Sequence, residues 1–145
     1  MAVGNVGHQL ERNAVDQMNT YLSRDGGLTW TEVMKGSHIY EIGDHGGLIV
    51  AAPNTEKTTE ISYTFNEGET WHKLTISDTP IDVTNIIIEP ESISQQFVVY
   101  VQYNKEAILH KQVQLGPNPL VSEAPPVRGG QGPRKLPELR LLAQT

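Results

Sequence analysis

Few residues in this 145-residue chain have the types and spacing for chemistry. Asp44 stands beside His45, a carboxylate and an imidazole of the kind acid–base catalysis uses. On the Gly-rich stretch 43–47 adjacent side chains point apart, and no nucleophile accompanies them, so turn chemistry is the favoured reading. The five histidines (His8, His38, His45, His72, His110) show neither H-x₃-H nor H-E-x-x-H spacing, so no metal site is assigned. Glu67 and Glu69 flank Gly68 and could meet a basic ligand, but a solvated rim is the favoured reading. Gly4-x-x-Gly7 is too short for a dinucleotide fingerprint, which needs a strand before it and a helix after it. The absence of cysteine excludes a thiol nucleophile, a disulfide framework and a thiolate zinc site. On these grounds the sequence assigns no catalytic residue, no metal and no cofactor.

What the sequence does hold is a repeated octet. Ser23-Arg24-Asp25-Gly26-Gly27-Leu28-Thr29-Trp30 returns as Thr64-Phe65-Asn66-Glu67-Gly68-Glu69-Thr70-Trp71, displaced by 41 residues at every matched position. Its chemistry is that of a turn. Asp25 or Asn66 can fold a side-chain oxygen back onto backbone N–H groups. Gly27 or Gly68 supplies a positive φ. Thr29 and Trp30, or Thr70 and Trp71, then restart a strand, with the indole burying area against the sheet. This octet is the Asp-box, Ser-x-Asp-x-Gly-x-Thr-Trp, intact in the first copy and with Thr64 and Asn66 as conservative departures in the second. A structural role for its residues is favoured over metal binding or catalysis.

The elements that must position the boxes are short strands. Tyr21–Arg24 and Thr29–Val33 flank the first box. Ile39–Ile42, Leu48–Ala52, Ile61–Thr64, Trp71–Leu74, Thr84–Ile88, Phe97–Tyr103 and Ala107–Val113 follow, separated by Gly, Asn and Pro. Strand spacings of about 8 to 12 residues indicate an antiparallel all-β architecture. A repeat of about 40 to 45 residues is the period of a four-stranded propeller blade. The expected fold is a fragment of a β-propeller, about two to three four-stranded blades with Asp-box hairpins between their third and fourth strands. Asp44-His45-Gly46-Gly47 would join an innermost strand to the next. Gln9 to Met18 is left as one or two helical turns or an irregular loop. Ile86-Ile87-Ile88 reads as a strand buried on both faces.

Composition divides the chain. Six of the nine prolines fall between Pro117 and Pro137, together with Gly116, Gly129, Gly130 and Gly132. Residues 116–145 carry a charge of +2, so with a total of −6 the rest carries −8. Pro/Gly-rich sequence with few β-branched residues buries too little surface to offset chain entropy. The segment 116–145 is therefore expected to be a disordered tail, with at most a transient helix over Leu136 to Ala143, and 1–115 the folded part. The acidic balance argues against nucleic acid as partner. No apolar run approaches the roughly 20 residues of a membrane span, and Met1 to Leu10 lacks the apolar core of a secretory signal.

Four segments occur in a telling order: Gly4-Asn5-Val6-Gly7, then 20–30 with the first box, then 36–51 with Gly43-Asp44-His45-Gly46-Gly47, then the second box. Together they resemble the luminal domain of the sortilin family, the vacuolar protein-sorting receptors, over roughly residues 4–103. The resemblance implies a large, many-bladed propeller, followed in the family by cysteine-rich modules, a membrane span and a cytoplasmic sorting tail. The family's cysteine after this region is missing, and from about Asn104 the pattern is no longer recognisable, so the chain reads as a fragment or truncated product. The resemblance further implies capture of protein or peptide cargo on the luminal side of Golgi, endosome or plasma membrane, with release at endosomal acidity. No residue here maps to the family's ligand contacts, so binding residues stay unassigned. An acidic core would suit cargo with basic segments, such as propeptides. The membrane would be met only through the missing part of the parent receptor. The alternative is an Asp-box glycoside hydrolase of the sialidase type, which needs an arginine cluster and a Tyr/Glu nucleophile pair. Only Arg12 and Arg24 lie in the folded part. A third reading is a fragment without autonomous function, because an unclosed propeller leaves sheet edges unpaired.

Overall fold

The structure, a computed structural model, describes residues 1–7, 17–88, 95–103 and 107–124. Eleven strands are named in these residues, all paired antiparallel: β1 (Ala2–Gly4), β2 (Asn19–Leu22), β3 (Thr31–Lys35), β4 (His38–Gly43), β5 (Leu48–Pro53), β6 (Glu60–Thr64), β7 (His72–Thr75), β8 (Asp82–Ile88), β9 (Gln96–Tyr103), β10 (Ala107–Gln114) and β11 (Leu120–Ala124). They form three sheets, ordered β1-β2-β3, β4-β5-β6-β7 and β8-β9-β10-β11. Every neighbour in a sheet is also a neighbour in sequence, so each sheet is a meander. The connections 44–47 and 54–59 of the second sheet are short, as antiparallel pairs need only a tight turn.

Burial explains the stacking. In β5 the run Leu48-Ile49-Val50-Ala51-Ala52 is inaccessible on both faces, as an apolar strand covered on each side must be. Leu48, Val50 and Ala52 join Ile61, Ile86, Phe97, Val99, Val101 and Val113 in one core between the second and third sheets. Gly43 marks the closest approach there: a Cβ at this position would meet Ile88 and lie 2.9 Å from Phe97 Cζ. A two-way backbone bridge, Thr58 N–H to Ile81 O at 2.9 Å and Ile81 N–H to Thr58 O at 3.0 Å, ties the same two sheets outside the core. The seam between the first and second sheets is more polar. Buried Thr20 donates to Gly36 O at 2.9 Å, and Tyr40 on β4 donates to Met1 O at 2.6 Å.

Three sequence expectations change. β1 lies in Gly-bearing sequence that gave no strand signal, and it pairs Ala2–Gly4 with Asn19–Tyr21. β11 lies inside the segment expected to be a tail from residue 116. Its pairing with His110–Gln114 carries ordered chain to Ala124. Finally, Ile87 is 37% exposed, so β8 is buried on one face and open on the other. Residues 8–16, which hold His8, Arg12 and most of the Gln9–Met18 segment, lie outside the described residues, as do 125–145 with Leu136 to Ala143.

Candidate functional site

The two octets occupy equivalent places. The first connects β2 to β3, and the second connects β6 to β7. Each strand restarts one residue after the tryptophan, at Thr31 and His72, so Trp30 and Trp71 close the turns rather than open the strands.

In the first box the hydroxyl of Ser23 accepts from Gly27 N–H at 2.8 Å and donates to Asp25 Oδ1 at 2.8 Å. Asp25 also accepts from Thr29 N–H at Oδ1 (2.8 Å) and from the Thr29 hydroxyl at Oδ2 (2.6 Å). Three donors on one carboxylate favour its charged form. The Thr29 hydroxyl, then the Thr29 amide and the Ser23 hydroxyl, hold Asp25 down at a pKa of about 2 against an ordinary 3.8. The Trp30 indole N–H closes the turn on Gly27 O at 3.1 Å. That indole is 48% exposed, and Leu28 is 84% exposed, so the expected burial of Trp30 is not what the fold provides.

The second box repeats the path with altered donors. Thr64 Oγ1 accepts from Gly68 N–H at 3.1 Å and donates to Asn66 Oδ1 at 2.8 Å. Asn66 Oδ1 accepts from Thr70 N–H at 3.0 Å. The last contact is reversed: the Asn66 amide donates to Thr70 Oγ1 at 2.9 Å. Thr64 is fully buried, and Trp71 Nε1 is buried with no hydrogen-bond partner among the described residues.

Both turns pass through two successive left-handed residues: Gly26 and Gly27 (φ 69° and 94°), then Glu67 and Gly68 (φ 55° and 80°). For glycine this costs little, but for Glu67 it costs about 1 kcal/mol. The boxes also touch. Arg24 of the first donates from Nε (2.9 Å) and Nη2 (2.7 Å) to the backbone carbonyl of Glu67 in the second. Gly68 packs so closely on β2 that a Cβ would lie 2.9 Å from Leu22 Cδ2. Between the boxes runs a groove of about 330 Å³, lined by Leu22, Val33 and Trp71 with Arg24, Glu32 and Glu69 at its polar side.

The other sequence candidates do not join this groove. Asp44, His45 and Gly46 form a left-handed turn (φ 48°, 54° and 99°) closed by Gly47 N–H to Asp44 O at 2.9 Å. Asp44 is partly buried with Gln95 Nε2 3.5 Å from Oδ2, while His45 is exposed, and no described hydrogen bond joins the two. His38 Nδ1 lies 3.2 Å from both Thr20 Oγ1 and Gly36 O. His72 lies tilted against Tyr63, and His110 meets Tyr100 edge to face. Among the described residues no three histidine or acidic side chains are grouped to hold a metal ion.

Sequence reasoning missed Lys111. Its side chain is 6% exposed, with Nζ 3.2 Å from Oε1 of Glu123, its direct partner across β10 and β11. The signal was present: Leu109, Lys111 and Val113 share a strand face, and a buried ammonium needs an acid nearby.

Comparison with known proteins decides the kinship of this arrangement. The Sortilin-Vps10 family model (sortilin, neurotensin receptor 3) matches residues 1–86, which run from β1 into β8 and contain both boxes. This chain belongs to the Sortilin-Vps10 family. A vacuolar protein sorting/targeting protein 10 of Debaryomyces hansenii is 40% identical over 109 residues, 74% of this chain and 7% of its own length. A sortilin-related receptor of Oryctolagus cuniculus is 38% identical over 108 residues, again 74% of this chain but 5% of its own length. A vacuolar protein sorting/targeting protein 10 of Aspergillus flavus is 34% identical over 111 residues, 77% of this chain and 7% of its own length. This Sortilin-Vps10 chain thus spans a small part of the relatives it matches. Among its described residues no helix is long and apolar enough to cross a membrane.

Proposed function

We propose that the chain is a cargo-binding segment of a sortilin-like sorting receptor, acting on the luminal side of the Golgi-to-endosome, lysosome or vacuole route. The three sheets are successive blades of a β-propeller, and the parent receptor supplies the rest of the ring and the membrane anchor. The observation that carries this reading is the repeat in space: meanders stacked on one another, with a box between the last two strands of the first and second. It fits the family to which residues 1–86 belong. The propeller part, expected over 1–115, is extended by β11 to Ala124.

The segment is not an enzyme. Ser23, Asp25, Gly27, Thr29, Trp30, Thr64, Asn66, Gly68, Thr70 and Trp71 are turn staples, since the side-chain oxygens of Ser23, Asp25, Thr64 and Asn66 are spent on each other and on backbone. The sialidase alternative gains nothing from Arg24, whose guanidinium is committed to Glu67 O. Partners are proteins or peptides, with basic propeptides the class that suits the acidic surface, and nucleic acid is excluded by the same charge. No cofactor is required.

A channel assembled by a whole ring is absent from so few blades, so this chain alone binds cargo weakly and with strong salt dependence. Titrating a basic propeptide into the purified chain and into the whole receptor ectodomain tests this. Weak binding that fades with salt, against tight binding by the ectodomain, is the expected result. Tight, salt-insensitive binding by a monodisperse sample of this chain would contradict it and place a self-contained site on these sheets.

A further inference from the structure

Glu67 occupies the position that Gly26 fills in the first box, with the same left-handed backbone and without glycine's freedom. Its carbonyl is also the one that receives both Arg24 donors, at 2.9 and 2.7 Å. The Arg24 side chain comes from the other box and the other sheet, 43 residues away in sequence. The carboxylate of Glu67 is only a loose partner, 3.8 Å from Nε with both side chains well exposed, so the carbonyl is the stronger attachment. A planar guanidinium presents parallel N–H donors that a lysine ammonium does not.

We propose that Arg24 is a positioning residue that holds the second box in its left-handed turn from the first sheet. The turn between β6 and β7 is completed by a side chain of the β2–β3 connection, so the second box closes fully only when the first sheet is docked. The groove between the boxes keeps its width by the same contact, because Arg24 and Gly68 both line it. This is a coupling between neighbouring sheets made at their rim, independent of what the chain binds.

Amide hydrogen exchange on the full chain tests it, read at Gly68 and Thr70, whose N–H groups are held by Thr64 Oγ1 and Asn66 Oδ1. R24A should speed exchange at both about tenfold, while Gly27 and Thr29 of the first box keep their wild-type rates. R24K, which keeps a charge but not the fork, should show the same pattern in smaller measure, and serves if R24A does not fold. R24A/E67G should return Gly68 and Thr70 close to wild type, because glycine takes the left-handed backbone unaided. R24A/E67A should not, since it removes the carboxylate and keeps the strain. Unchanged exchange in R24A, equal acceleration in both boxes, or rescue by E67A as good as by E67G would overturn the proposal.

Discussion

The two boxes trace nearly one backbone path and hold it by different means. The first is exposed and centred on the Asp25 carboxylate, which gathers three donors, with Trp30 closing on Gly27 O. The second is centred on the neutral amide of Asn66, which donates to Thr70, with Thr64 fully buried and the Trp71 N–H buried without a partner among the described residues. The contrast teaches which part of the octet the fold requires. The hydroxyl at the first position and an acceptor oxygen at the third are used identically in both. The carboxylate, the first of the two glycines and the indole bond each differ between the boxes: Asn66 stands for Asp25, Glu67 stands for Gly26 with Arg24 on its carbonyl, and Trp71 Nε1 has no partner among the described residues.

The largest expected difference follows from burial. Thr64→Val leaves the N–H of Gly68 without an acceptor in a dry site, and should destabilise by about 2 to 3 kcal/mol. Ser23→Ala opens the equivalent N–H to water and should cost about 1 kcal/mol. Urea midpoints of the two variants give the comparison, and equal losses would break it.

Acid separates the boxes next. A carboxylate whose folded pKa is about 2 against an ordinary 3.8 adds stability that is complete above about pH 4 and is lost as pH falls through 2. Asp25→Asn should flatten that limb of the stability–pH profile relative to wild type, making the first box behave like the second. Asn66→Asp should add a limb of the same sign. The same depressed pKa keeps Asp25 charged in mildly acidic solution.

The smallest effect lies in the indoles. Trp30→Phe removes the bond to Gly27 O and should lower stability by at most about 1 kcal/mol. Trp71→Phe removes a buried donor that has no partner among the described residues and should be neutral or slightly stabilising. Thermal midpoints of both variants suffice, and a larger loss at Trp71 would mean that its N–H is paired in solution.

The strands of the second and third sheets were legible because alternating and continuous apolar runs, such as Leu48–Ala52 and Phe97–Val101, have one way to be buried. The positions of the boxes were legible because Asp, Gly and Thr at fixed offsets have a local turn chemistry. β1 was not, since Ala-Val-Gly has no period and pairs only through a partner 17 residues on. β11 was hidden by the surrounding prolines; what places it is the acid opposite buried Lys111, a non-local requirement. The contact between Arg24 and Glu67 was illegible for the same reason: nothing local pairs residues 43 positions apart.

The measurement closest to the central claim, that Asp25 is a turn staple with its whole carboxylate engaged, is an NMR titration of its side-chain carboxyl carbon between pH 6 and about pH 1.5, with the Thr29 amide followed alongside. The account requires a midpoint near 2, with the Thr29 amide shifting at the same pH and the Thr70 amide of the second box unmoved. A midpoint near 3.8, or an Asp25 titration to which Thr29 is blind, would contradict it and leave the carboxylate free for another role.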